Sequence, residues 1–190
     1  MPGKFLKGIF KSSVLHMIVA LTLVGVVSGV SLVFVYNYAV PKIRINTNAD
    51  TERAIKNIFP GTTQIKKAKE EGVFEVFDAT GKLLGYAFLA EGNGYQGIIN
   101  LIVGADTKFT SMEGMEVLES QETPGLGAEI ASDSFRKQFV GLSLAHPIEY
   151  VKNEKPQTNY QIEAITGATI SSRAVVNILN KRIEEIRGKM

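Results

Sequence analysis

Cysteine is absent from the 190 residues, and histidine occurs only as His16 and His146. Disulfides, thiolate metal sites, protein-ligated iron–sulfur clusters and cysteine nucleophiles are therefore excluded. His16 lies in an apolar run and His146 precedes Pro147, so no metal ligand is assigned. The missing cysteines leave the compartment open, because such a domain tolerates either redox environment. An excess of one charge is lacking too. The 21 basic and 19 acidic residues leave a net +2, without the clustered basic face of a nucleic-acid binder. No G-x-G-x-x-G follows a strand-like run and no P-loop occurs, which argues against a doubly wound dinucleotide fold. There is no internal repeat and no low-complexity tract. Ser171 and Ser172 have no histidine near them in sequence, so no catalytic residue is assigned. Glu113, Glu116 and Glu119 read as surface.

What the chain does have is one long apolar run. Ser12 to Val40 holds no charged residue, and its heart is Val14 to Tyr36. At ~1.5 Å per residue this crosses a ~30 Å hydrocarbon layer with some tilt. A secretory signal peptide is the rival reading, but its apolar region is usually only about 7–15 residues, so an uncleaved anchor is favoured. Lys4, Lys7 and Lys11 suit one interface, Tyr36 and Tyr38 the other. Basic residues on the two sides nearly balance. A first segment with a short basic start commonly leaves its N-terminus inside. Residues 1–40 are thus expected to form a cytoplasmic tip and single-pass anchor in the cell (inner) membrane, and 41–190 one extracytoplasmic domain. About 150 residues suffice for a sizeable core.

In the soluble part, Asp50 is expected to cap a short helix carrying Ala54, Ile55, Ile58 and Phe59, stopped by Pro60-Gly61. Strands are expected at Val73–Phe77, Lys82–Ala90, Gly97–Gly104 and Met115–Glu119, with turns at Asp78–Gly81 and Gly92–Gly94. A helix opens at Ser132 or Asp133 and runs to Val140. Ile148–Lys152 and Tyr160–Ile165 read as strands. Ser172–Arg187 is the last helix, with Val175, Ile178, Leu179, Ile183 and Ile186 as its apolar stripe. The order implies an α+β domain with a twisted, mainly antiparallel sheet and packed helices.

Two segments could carry chemistry. In Thr166-Gly167-Ala168-Thr169, the glycine permits positive φ or close backbone approach. Thr169 falls at a helix start, where free N–H groups and the helix dipole favour a phosphate. Ser171 and Ser172 can add hydroxyl hydrogen bonds. Plain helix capping explains the same residues without any ligand. The other segment is Glu122-Thr123-Pro124-Gly125-Leu126-Gly127. Pro124-Gly125 forces a tight turn. Leu126 at its tip either tucks into its own core or covers a flat aromatic ligand.

These two segments, in this order, resemble the FMN-binding domain found in the G subunit of the Rnf electron-transport complex. More distantly they resemble the C subunit of sodium-translocating NADH:quinone reductase. The family pattern is an acidic residue, two variable residues, Ser or Thr, then Gly-Ala-Thr, here Glu163-Ala-Ile-Thr166-Gly-Ala-Thr169. The acidic residue is commonly Asp; Glu163 keeps the charge and lengthens the reach. The loop Glu122–Gly127 matches a second family signature, which lies against the flavin. The N-terminal span, the Gly94-Tyr95-Gln96-Gly97 segment and the C-terminal helix extend the resemblance over nearly the whole chain. It implies FMN joined to Thr169 by a phosphoester, with Thr166, Gly167, Ala168, Ser171, Ser172, Glu122, Thr123, Gly125, Leu126 and Gly127 around the cofactor. It further implies attachment by a flavin transferase that uses FAD and magnesium. It implies membership in a membrane complex that passes electrons from ferredoxin to NAD and exports sodium or protons, with no complete active site in this one chain. A flavinylated domain of another membrane redox system, or an anchored binding or scaffold module without cofactor, are the alternatives.

Overall fold

The computed structural model describes residues 3–189. The chain divides into two units at Thr47/Asn48. The first unit holds most of helix α1 (Gly3–Ile58). Its stretch Val14–Tyr38 has a mean hydropathy of 2.6 and is long and apolar enough to cross a membrane. Leu21, Leu32 and Phe34 are among many large apolar side chains left exposed along it. Thr22 donates its hydroxyl to the carbonyl of Ile18 at 2.8 Å, which satisfies a polar group within an apolar run.

The second unit begins with the last turns of α1. The short capped helix expected there is not separate. Asp50 lies inside α1 and pairs with Arg53 at 3.1 Å instead of capping. Five strands follow as an antiparallel meander in the order β1 (Gln64–Lys67), β2 (Val73–Phe77), β3 (Leu83–Asn93), β4 (Ile98–Ala105) and β5 (Met112–Ser120). β1 is too polar and too short to stand out in sequence; it exists because its backbone pairs with β2 from Gln64↔Phe77 to Lys67↔Phe74. β3 runs on to Asn93, and the turn expected at Gly92–Gly94 moves to its end, where Gly94 N–H bonds the Gly97 carbonyl at 2.7 Å.

Strand alternation puts opposite faces of the sheet against different partners. One face sends Val76, Ala87 and Ile102 against Ala54, Ile55 and Phe59. The Phe59 ring seats against Gly85 and Gly104, where a Cβ would stand 2.8 Å from its edge at both positions. The other face sends Phe88, Leu101, Val103 and Met115 into the larger core beneath helix α3 (Thr169–Arg187). Of α3's expected stripe, Val175, Ile178, Leu179, Ile183 and Ile186 are all buried.

The helix expected over 132–140 is shorter and mixed. Ser132 caps α2 (Asp133–Arg136) by accepting from the Phe135 N–H, and a 3₁₀ turn (Lys137–Phe139) continues it. Phe135 and Phe139 still point inward, their rings 5.3 Å apart. The last two strands, β6 (Glu149–Val151) and β7 (Gln161–Glu163), form a separate parallel pair. Gln138 clamps both backbone groups of Glu163, accepting from its N–H at 2.7 Å and donating to its carbonyl at 3.2 Å. β7 therefore delivers residues 164–169 to the start of α3 in a fixed frame. The fold is α+β with a mainly antiparallel sheet.

Candidate functional site

The chain from Ala164 to Thr169 makes a tight elbow. Gly167 takes φ +84°, a left-handed conformation that glycine adopts without strain. Ala168, not a Thr or Ser, occupies the N-cap position of α3, and no side chain caps the helix. Thr169 is the first helical residue and half-buried. The expectation of ordinary capping fails here because alanine has no side-chain acceptor. The N–H groups of this first turn thus have no side-chain acceptor, in a helix long enough to project a dipole.

Ser171 and Ser172 are buried and their hydroxyls are committed within the protein. Ser172 Oγ accepts from the Ile165 N–H at 3.0 Å and donates to the Ala168 carbonyl at 3.1 Å, which staples the elbow to the helix. Ser171 Oγ donates to Glu122 Oε2 at 2.6 Å. Thr166 stands exposed at the elbow.

The second segment meets the first at this point. Glu122 is buried, and its Oε1 accepts from the N–H groups of Tyr95 (2.6 Å) and Gln96 (3.1 Å) at the β3–β4 turn. Burial pushes the carboxyl's pKa up. The hydrogen bonds from Ser171 and from the N–H groups of Gln96, Tyr95 and Gly97 outweigh it, so it lies below its ordinary range. Thr123 accepts at its carbonyl from the Leu126 and Ala128 N–H groups, closing a turn through Gly125 at φ +72°. Gly127 is buried beside the carboxylate; a Cβ there would come 2.6 Å from Ser171 Oγ. Leu126 does not tuck into the core. It is 49% exposed, and its Cδ2 would lie 3.5 Å from a Cβ on Gly167, so the two loops touch.

Tyr95, Gln96 and Gly94 are the part of the site that residue-by-residue reading missed. The Gly94–Gly97 segment entered only as part of the family resemblance, and it is the fold that brings it to Glu122. Tyr95 and Ile170 are large apolar side chains left exposed in this region. A groove of about 390 Å³ runs along α3 beside the elbow, lined among others by Asn93, Gly94, Ile170, Arg173, Asn177 and Lys181, and by no residue of Thr166–Thr169 or of the Glu122–Gly127 loop. Its volume is in the range of small-molecule sites. Among the described residues, neither Arg173 nor Lys181 has an ion-pair partner. An uncapped helix start, nearby cations, exposed apolar side chains and a groove together fit a ligand with an anionic end and a flat aromatic body, as FMN has.

Comparison with known proteins agrees with that chemistry. Residues 94–184 match the FMN-binding domain family. The G subunit of the ion-translocating oxidoreductase complex of Methanosarcina acetivorans is 29% identical over 90% of this chain and 94% of its own length. The G subunit of the proton-translocating ferredoxin:NAD(+) oxidoreductase complex of Clostridium ljungdahlii is 31% identical, covering 87% and 88%. Among solved structures, NqrC of Shewanella oneidensis is similar with a TM-score of 0.54 and 25% identity, over 64% of this chain and 63% of that one. Near-full-length agreement with the G subunits, an FMN-binding domain and one apolar N-terminal helix lead to one assignment. The chain belongs to the family of G subunits of Rnf-type ion-translocating oxidoreductase complexes.

Proposed function

We propose that this chain is the electron-relay subunit of a redox-driven ion pump of the ferredoxin:NAD type, and that it carries FMN covalently through a phosphoester on Thr169. The observation that carries this reading is the uncapped start of α3 at Ala168–Thr169, with Gly167 against Leu126. Thr169 offers a hydroxyl where the first-turn N–H groups and the helix dipole favour the one negative charge a phosphodiester keeps. Arg173, one turn further along α3 and lining the groove, adds a cation on that side. Gly167, exposed and without a side chain, leaves room beside the hydroxyl. The Thr123–Gly127 turn presents Leu126 as an apolar wall, and Ser171, Ser172 and Glu122 hold both segments in place.

Attachment needs a separate flavin transferase. The Thr169 hydroxyl displaces AMP from FAD: a phosphoester bond forms at the FMN phosphorus, the pyrophosphate bond breaks, and the hydroxyl proton passes to a base of the transferase. Glu163 and Thr166 belong to the sequence that the transferase reads. FMN, once bound, supplies the capacity to take up an electron pair and release electrons singly; the protein contributes placement and tuning. Residues 1–40 anchor the chain and residues 41–190 form an extracytoplasmic flavin domain, next to other subunits that hold the ferredoxin and NAD sites.

Near-complete coverage of the G subunits, against under two thirds of the quinone-reductase structure, favours the Rnf-type reading. The test is co-expression with a flavin transferase, a denaturing gel and ultraviolet illumination. A fluorescent band that disappears in Thr169→Ala is the expected result.

A further inference from the structure

A buried carboxylate with no cation beside it is a costly choice for a fold. Glu122 is 5% exposed, and among the described residues no Lys or Arg forms an ion pair with it. Its two oxygens instead divide between two distant elements. Oε1 takes the Tyr95 and Gln96 N–H groups of the β3–β4 turn, and Oε2 takes the Ser171 hydroxyl in the first turn of α3. The sequence makes room for it on both sides. A Cβ on Gly94 would collide with Oε1, and a Cβ on Gly127 with Oε2. The carboxylate therefore joins three segments: the turn that presents Tyr95, the loop that presents Leu126, and the helix start that presents Thr169. Ser171 lies two residues past Thr169, so this negative charge sits at the edge of the flavin site.

We propose that Glu122 is a positioning residue of the flavin site: its carboxylate ties the β3–β4 turn and the Leu126 loop to the start of α3, and its charge biases the flavin against reduction. This rests on the Thr169 reading above. Both carboxylate oxygens are taken up by protein partners, so Glu122 acts through the segments it holds. A charge-assisted hydrogen bond is roughly twice as strong as a neutral one, so the clasp depends on ionisation as well as on shape. A fixed negative charge nearby disfavours electron uptake, which gives the second effect its sign.

Two variants separate positioning from plain stability, using the full chain co-expressed with a flavin transferase. Glu122→Gln keeps the shape: its carbonyl accepts from Tyr95 and Gln96, and its amide donates to Ser171 Oγ. It loses the charge and reverses the bond to Ser171, whose hydroxyl no longer has the carboxylate to donate to. Covalent flavin per protein falls several-fold at a fixed expression time, and the midpoint potential of the loaded fraction moves positive. Ser171→Ala keeps the charge and cuts the arm to α3; loading falls while the potential stays closer to that of the wild type. Melting temperatures are taken in parallel. Glu122→Gln loaded to the wild-type level at an unshifted potential overturns the proposal, even if its melting temperature has dropped. If Glu122→Gln does not fold, Ser171→Ala decides alone, and loading at the wild-type level overturns it. A wild-type chain that takes up no flavin sinks the Thr169 reading itself, before either variant is measured.

Discussion

Ser171 donates its hydroxyl to the carboxylate of Glu122 at 2.6 Å, joining residues 49 apart in the chain. This bond turns two short motifs into one site. Around it the glycines are not equivalent, and the difference can be measured.

Gly125 takes φ +72° with open space around it, whereas Gly127 sits against the Glu122–Ser171 bond. Alanine at 125 costs about 1–2 kcal/mol of backbone strain. Alanine at 127 forces overpacking of about 1–3 kcal/mol and pushes the carboxylate off Ser171. The two melting temperatures fall by similar amounts, but covalent flavin falls much further in Gly127→Ala. Parallel melts and gel fluorescence check this; equal loading in the two variants counts against the clasp.

Acid sensitivity follows from the same carboxylate. The folded pKa of Glu122 is depressed, since four hydrogen bonds outweigh its burial. A depressed pKa contributes stability that is fully present above the unfolded value, about 4.3, and is lost as pH falls through the folded value. Asp106 behaves alike: burial raises it, and bonds from Ser111, Thr110 and Lys108 lower it further. Denaturant unfolding between about pH 7 and 3 is therefore expected to show stability falling below about 4.3. That fall is shallower in Glu122→Gln, and the part due to Asp106 remains.

Much of this was legible in the sequence, for identifiable reasons. β2 and the stripe of α3 stood out by the period of their apolar residues, and β4 by a nearly continuous apolar run from Ile98 to Val103. Leu126 stood out because a large apolar side chain at a Pro-Gly turn needs an explanation. β1 did not, because Gln64–Lys67 is polar and made a strand only by pairing with β2. The parallel pairing of β6 with β7 was equally hidden, since alternation carries no strand direction. Asp50 misled because it is a good N-cap residue at a point where α1 runs on unbroken. The β3–β4 turn stayed outside the site because its contribution is backbone N–H groups, which no side-chain pattern reveals.

Topology has a clean test because the chain has no cysteine of its own. Single-cysteine variants Lys152→Cys, at an exposed position, and Lys4→Cys provide the two reporters. In intact cells a membrane-impermeant maleimide is expected to label Lys152→Cys and to spare Lys4→Cys until the membrane is opened. The reverse pattern would put the flavin domain in the cytoplasm.

The covalent bond at Thr169 is the central claim, and mass spectrometry of the intact chain addresses it most directly. After co-expression with a flavin transferase, the wild-type chain should gain the mass of FMN less one water, with the modified peptide covering Thr169. Thr169→Ala and Thr169→Val should gain nothing, while Thr166→Ala leaves any added mass on Thr169. An unmodified wild-type chain, or an FMN adduct that persists in Thr169→Ala, would contradict the account.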